Sequence, residues 1–385
     1  MKKRFFALLT AVCIALTTGL TALADGGENS DMTIGMSAQE QCSCTTLCTE
    51  GNINPDCPVC GAEGADLTAC KGAPLMMRAA PLAADAPNSL YVGDQQVING
   101  NNTTFWTTDK STGGLTEYEG NDDNWNVKYD PSTATLTLKG AKISGSYHQY
   151  NNPYTAGIYA PCRSNQPVTL TIELIGENTI TGTFGIYVNA EINADSNGTD
   201  ASLTITGENN GSLEVSGSNH GIFVKSGTGN ASLNIEKATV TSSTNGGYAA
   251  GVYVQSGVNA TGSPSISLSV NGGSLTASGT GNSDGILFYV GQSQATGATT
   301  SLTVSENAIV DARNGGISAL KISETLPTPT PTGENSSGIV FDDKNGTVYG
   351  NVTLQENLEI GEGESLTIGD GASLNTGSHA VNVNG

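Results

Sequence analysis

The sequence predicts an all-β chain, built mainly as a parallel β-helix with three short strands per coil and preceded by a small cysteine-rich module. Three observations carry that expectation. Composition is the first: the 385 residues include 50 Gly and only 13% charged residues, a profile remote from the Ala, Glu, Lys and Leu usage of helical bundles. A recurring Gly-Ile-Tyr-Val-like marker in the C-terminal two thirds is the second, and a cluster of six cysteines between Cys42 and Cys70 is the third.

Residues 1–24 read as a signal peptide. Lys2, Lys3 and Arg4 form a positive n-region, Phe5 to Leu20 is apolar, and Ala22-Leu23-Ala24 supplies the small residues a signal peptidase reads. No later stretch reaches the length of apolar sequence a membrane span needs, so no transmembrane segment is expected beyond the signal peptide. The expected location is therefore secreted, extracellular or at the cell surface. Residues 25–41 form a linker. Cys42, Cys44, Cys48, Cys57, Cys60 and Cys70 come next, in a segment (42–70) too short to bury a core of its own, so its cysteines must staple it. Two chemistries fit. Export favours three disulfides, and the knuckle Cys57-Pro58-Val59-Cys60-Gly61 favours a structural zinc ion held by thiolates. Cys162 is left over and is expected to be a buried apolar residue. The Ala- and Pro-rich stretch 71–88 reads as a second linker.

Residues 89–150 contain both tryptophans, Trp106 and Trp125, the alternating run Thr135-Leu136-Thr137-Leu138 and the turn Asp130-Pro131-Ser132. They read as a β region that caps the solenoid. Residues 151–385 carry the repeats. Gly157-Ile158-Tyr159-Ala160, Gly185-Ile186-Tyr187-Val188, Gly221-Ile222-Phe223-Val224 and Gly251-Val252-Tyr253-Val254 are four copies of the marker. Gly285-Ile286-Leu287-Phe288 expands it, and Gly316-Ile317 and Gly338-Ile339 are degenerate copies, at spacings of 28, 36, 30, 34, 31 and 22 residues. Between markers comes a second strand, as in Leu170-Thr171-Ile172 and Leu203-Thr204-Ile205, and then a third, as in Leu213-Glu214-Val215. Three strands per repeat of variable length is the pattern of a parallel β-helix, in which each coil adds one rung to each of three sheets. Alternation places Ile158, Ile186, Ile222 and Val252 inward in one column. After Gly350 the apolar pairs tighten into a coil of 22 residues.

The cysteine run Cys42-Ser43-Cys44-Thr45-Thr46-Leu47-Cys48 with Cys57-Pro58-Val59-Cys60, the stretch Trp125-Asn126-Val127-Lys128-Tyr129-Asp130-Pro131, and Gly176-Glu177-Asn178-Thr179-Ile180 carry a resemblance. On them the chain resembles secreted surface proteins of Gram-positive anaerobes with a cysteine-rich N-terminal module. Their resemblance implies a right-handed parallel β-helix of the pectate-lyase-like superfold with carbohydrate-binding character. Such motifs specify architecture well and chemistry poorly, because one fold hosts many functions.

Charge narrows the partners. With 36 Asp+Glu against 15 Lys+Arg, a net charge of -21 and pI about 4.3, the chain lacks the basic clusters that neutralise phosphates, so no nucleic-acid partner is expected. A polysaccharide or a host or cell-surface glycan is the expected partner. The candidate site is the outward row of the marker sheet, Tyr159, Tyr187, Phe223 and Tyr253, with Asn189, Lys225 and Gln255 two positions on. Flat rings beside amide and ammonium donors suit a sugar chain whose repeat is close to the rung spacing, and truncating Tyr187 and Tyr253 is expected to spare the fold. The same stacked rings would also cover and stabilise the sheet without any ligand. No catalytic residue is assigned: lyase chemistry needs a basic residue beside calcium, hydrolysis needs paired carboxyls, and neither constellation stands out from a sequence whose histidines, His148, His220 and His379, are solitary. The expected role is thus non-catalytic carbohydrate binding or adhesion, and a polysaccharide lyase or hydrolase and a purely structural surface stalk are the alternatives. Calcium is a candidate at Asp195-Ser196-Asn197-Gly198-Thr199-Asp200, although the Gly comes too early for an EF-hand loop.

Overall fold

The computed structural model describes residues 83, 85–120, 123–145, 147–148, 155–161, 166–190, 199–207, 211–257, 262–291, 297–322, 324–331 and 335–384. The signal peptide, the six clustered cysteines, Cys162 and Asp195 lie outside them.

Every regular element among the described residues is a β-strand, and most pair in parallel with the strand one coil away. One coil runs through Val168–Ile175 and then through Glu177–Asn189, whose two halves belong to different sheets. Each coil thus contributes one rung to each of three sheets. The marker sheet stacks Thr155–Pro161, the second half of Glu177–Asn189, the second half of Ser212–Lys225, Ala250–Ser256, Asp284–Val290 and Ile317–Lys321. Its register pairs Ile158 with Ile186, Ile186 with Ile222 and Ile222 with Val252, as the alternation predicts, and carries the column on to Ile286 and Ile317. The first five members of that column are fully buried.

The marker glycine has a steric reason. It lies where the chain turns from the third sheet into the marker sheet and successive coils crowd one another. A Cβ at Gly185 would collide with the Val215 side chain and the Gly221 carbonyl. Glycine at this position lets neighbouring coils close on one another at the corner, and the spacing of markers then sets where each coil begins.

The second sheet aligns Leu136, Ile172, Ile205, Ile235, Val270 and Val304 in one interior column. The third aligns Ile143, Ile180, Val215, Ser242 and Ala277. Ser242 is the polar exception, and its buried hydroxyl donates to the Gly251 carbonyl at 2.6 Å. With about 1.5–3 kcal/mol for each fully buried aliphatic side chain, these stacked columns supply the main favourable term of the fold.

The first coil is not left open. Thr104–Thr108 pairs antiparallel with Leu115–Glu117 and Val127–Asp130, and Val127–Asp130 pairs antiparallel with Thr135–Lys139, the first rung of the second sheet. Tyr91–Val92 closes the marker sheet by pairing antiparallel with Thr155–Pro161. These short strands cover edges that would otherwise be open to another chain.

The other end departs from the expected repeat. Gly316-Ile317 keeps its place in the marker sheet, but Gly338-Ile339 does not: Gly338–Asp342 stacks on Ala308–Asn314 in the third sheet. A tight hairpin then pairs Gly338–Asp342 antiparallel with Asn345–Tyr349 and reverses the chain. Beyond it a smaller parallel stack forms, Asn345–Tyr349 on Ser365–Ile368, Asn351–Thr353 on Ser373–Asn375, and Leu358–Ile360 on Val381–Val383. Val352 pairs with Leu374, 22 residues on, which is the compact coil expected from the tightened apolar spacing. This stack has its own core of Ile339, Phe341, Val348, Val352, Leu354, Leu358 and Ile360.

Asn178 joins three successive coils. It is 2% exposed; its Oδ1 accepts from the Ala141 backbone N–H at 2.9 Å, and its Nδ2 donates to the Gly176 carbonyl at 3.0 Å and the Ser212 carbonyl at 3.2 Å. Replacing it by Ala leaves the buried Ala141 N–H without this acceptor and removes the bonds to the Gly176 and Ser212 carbonyls. Asn178→Ala is expected to destabilise by about 2–4 kcal/mol, measured by denaturant unfolding. A loss below about 0.5 kcal/mol would show that the amide bridges nothing of consequence.

Candidate functional face

The outward face of the marker sheet gathers the predicted site residues into register. Tyr159, Tyr187, Phe223 and Tyr253 occupy one column, followed by Leu287 and Ser318. Pro161, Asn189, Lys225, Gln255 and Tyr289 occupy the next. A third column, which the sequence pattern did not reveal, holds Ala156, Phe184, His220, Ala250 and Asp284.

Rung spacing of about 4.8 Å brings flat rings into contact along the axis. Tyr187 and Phe223 stack at 4.8 Å with an interplanar angle of 2°, and Phe223 and Tyr253 at 4.6 Å and 6°. Tyr159 lies 5.3 Å from Tyr187 at 34°, and Phe184 packs beside the row at 4.9 Å from Tyr187. The rings therefore spend their faces on one another and present their edges outward. Tyr159 is 3% exposed and Phe223 7%, while Tyr187 and Tyr253 are half-buried. Asn189 and Gln255 are also buried, at 7% each, and Lys225 is half-buried. The expectation that Tyr187 and Tyr253 could be truncated without loss of fold meets a geometric objection, since Tyr187→Ala removes a ring held between two others.

His220 comes just before the corner glycine Gly221, at the start of the marker strand. It sits within this face, 4.7 Å from the Tyr253 ring, 5.1 Å from Phe223 and 5.7 Å from Phe184. Its Nδ1 accepts the Ala250 backbone N–H at 3.0 Å, which places the ring proton on Nε2. Burial drives its pKa down to about 4. Two rungs on, in the same column, burial pushes the Asp284 carboxyl up, and the Ser318 hydroxyl donates to it. The Tyr253 phenol, between them, is pushed up by burial, with smaller contributions from Tyr289 and Asp284. Sequence reasoning missed this grouping because His220, Tyr253 and Asp284 lie 33 and then 31 residues apart and share a surface only through the register.

The structure also brings two carboxylates together. Glu177 pairs with Ser212 and Thr179 with Glu214, so Glu177 and Glu214 lie on neighbouring rungs, along a groove of about 500 Å³ that Thr239 and Thr241 complete. Carboxyl pairs that hydrolyse glycosides need unlike surroundings, one apolar to hold the acid and one polar to hold the base. Both of these side chains stand exposed among Ser and Thr, so nothing differentiates them. Of the calcium candidate, Asp200 is described: its carboxylate accepts from the Asn230 backbone N–H at 2.7 Å and from the Asn230 amide at 3.3 Å, a ladder between adjacent coil corners. Among the described residues no group of three or more His, Cys, Asp or Glu is placed to hold a metal ion.

His220 makes acid stability a test of this packing. Its folded pKa of about 4 lies below the ordinary value of 6.5, so between those values the unfolded chain binds the extra proton. The His220 contribution is thus complete above about pH 6.5, falls as pH is lowered, and is gone below about pH 4, a total on the order of 3 kcal/mol. Asp284, with its raised pKa, works in the opposite sense, so the informative quantity is a difference between variants. His220→Gln is expected to flatten the pH 6.5 to 4 limb of the stability curve relative to wild type. Identical limbs would place His220 in solvent rather than in the stack.

No family model matches the chain, and no curated protein or solved structure shows significant similarity to it.

Proposed function

We propose that this is an exported, non-catalytic β-solenoid protein that holds polysaccharide or a cell-surface glycan, with residues 42–70 as a stapled module of the kind found in secreted surface proteins of Gram-positive anaerobes. What supports the carbohydrate reading is the in-register repetition of the outward columns. Side chains of like chemistry recur at a constant step along one axis, which complements a periodic polymer better than a compact small molecule. Ring edges and phenol hydroxyls, rather than ring faces, are what the tyrosine row offers a ligand. A net charge of -21 makes neutral glycans the favoured class, since anionic ones are repelled unless divalent cations bridge the carboxylates.

A glycan array with the purified protein tests this directly. Neutral glycans should bind in the presence of chelator, and polygalacturonate should not. The paired change Tyr187→Phe with Tyr253→Phe keeps the stack while deleting two hydroxyls, and is expected to weaken binding about tenfold with little change in melting temperature. The truncations Tyr187→Ala and Tyr253→Ala should instead lower stability, by about 2–4 kcal/mol each, because each ring is packed against others. No binding to any glycan would leave the stalk reading in its place.

The cysteine module is open to a separate measurement. Metal analysis beside a free-thiol count should give either stoichiometric zinc or no free thiols at Cys42, Cys44, Cys48, Cys57, Cys60 and Cys70. Six free thiols without metal would reject both forms of staple.

A further inference from the structure

The corner between the third sheet and the marker sheet holds a groove of about 340 Å³. Its position follows from the register. Thr181, Ser216, Ser243 and Ser278 are successive partners along the axis, so one hydroxyl is presented by each of four rungs. Gly182 and Gly217 pair beside them, and the chain bulges between Gly182 and Phe184. A Cβ at either glycine would meet backbone, the Phe184 carbonyl from Gly182 and the His220 carbonyl from Gly217, so both positions keep the chain closely packed beside the hydroxyl row. Three rung steps make the groove about 14 Å long.

Two features separate this groove from the rest of the Ser- and Thr-rich surface. Hydroxyls on the outward face of the second sheet satisfy one another across rungs: Ser232 with Ser202 at 2.9 Å, Ser269 with Asn234 at 2.8 Å, Ser305 with Asn271 at 2.8 Å. The hydroxyls of Thr181, Ser216, Ser243 and Ser278 make no hydrogen bond among the described residues, so their donor and acceptor capacity faces the groove and solvent. The second feature is charge: the groove is lined entirely by Gly, Ser, Thr and Asn, in a chain whose net charge is -21.

We infer that this corner groove is a binding site for a neutral, extended glycan chain lying along the solenoid axis, distinct from the tyrosine row. Each rung advances by about 4.8 Å, close to the advance of one sugar in an extended β-linked chain, so successive sugars meet equivalent hydroxyls. A hydroxyl is both donor and acceptor, which matches sugar hydroxyls without demanding one orientation. An anionic chain finds no cation in the lining to neutralise it.

This inference rests on the carbohydrate reading, and the experiment separates the two. Titration calorimetry uses the purified protein with cellohexaose, mannohexaose and hexagalacturonate. Wild type should bind at least one neutral hexamer and not hexagalacturonate. Ser216→Leu with Ser243→Leu fills the groove and should weaken that binding at least tenfold, while Ser232→Ala with Ser269→Ala, on the outward face of the second sheet and outside the groove, should leave it unchanged. If the leucine pair disturbs folding, seen by circular dichroism, Thr181→Ala with Ser278→Ala removes two hydroxyls without adding bulk and should weaken binding about threefold to tenfold. Wild-type affinity in a folded groove variant would overturn the groove and leave the carbohydrate reading standing. Tight binding of hexagalacturonate would also overturn it, and wild type that binds none of the three would remove both.

Discussion

The parallel backbone ladder between coils is the interaction on which the rest of this structure depends. It forces residue positions in one coil to sit directly over their partners in the next, at one strand spacing, and so turns sequence repeats into physical columns. Inward columns become an aliphatic core with no need for helices or a second domain. Outward columns become surfaces of repeated chemistry. The ladder tolerates coil lengths from 28 to 36 residues because the differences fall between strands, while the glycine at the entry to each marker strand lets the coils close there.

The same constraint explains why the tyrosine row is self-contained. Rings placed one rung apart are already at stacking distance, so their faces are lost to ligands before any ligand arrives. His220 is drawn into this stack by register with Phe184, and is held neutral there by burial while its Nδ1 takes the N–H of Ala250. What the rings and the neighbouring corner leave exposed is edges and hydroxyls. Hydroxyls that pair with each other across rungs stabilise a sheet; hydroxyls that do not are open to a ligand.

At the C-terminal end the strand Gly338–Asp342 serves two cores at once. Val340 faces the large solenoid, while Ile339 and Phe341 belong to the smaller stack. Arg313 binds the two together: its guanidinium lies 3.9 Å from the Phe341 ring centroid, 3.2 Å from the Glu364 carboxylate and 3.4 Å from Asp311. A planar cation that can stack and pair at the same time suits such a seam better than an ammonium would.

Much of the architecture was legible from residues alone, and for a physical reason. Inward placement of Ile158, Ile186, Ile222 and Val252 follows from alternation within a strand, and their stacking follows from repetition of a glycine whose side chain the corner excludes. Both are local properties written once per coil. The 22-residue coil could be read in the same way from its apolar pairs. Gly338 misled because a Gly-Ile dipeptide carries no information about which sheet it joins; the hairpin at Asp342–Asn345 decides that. Local sequence therefore determined the strand period, the inward columns and the all-β class. Tertiary structure alone decided which outward residues meet, because His220, Tyr253 and Asp284, the pair Glu177 and Glu214, and the four hydroxyls of the corner groove are joined only by register between coils, and register is set by loop lengths and corner geometry that no single strand contains.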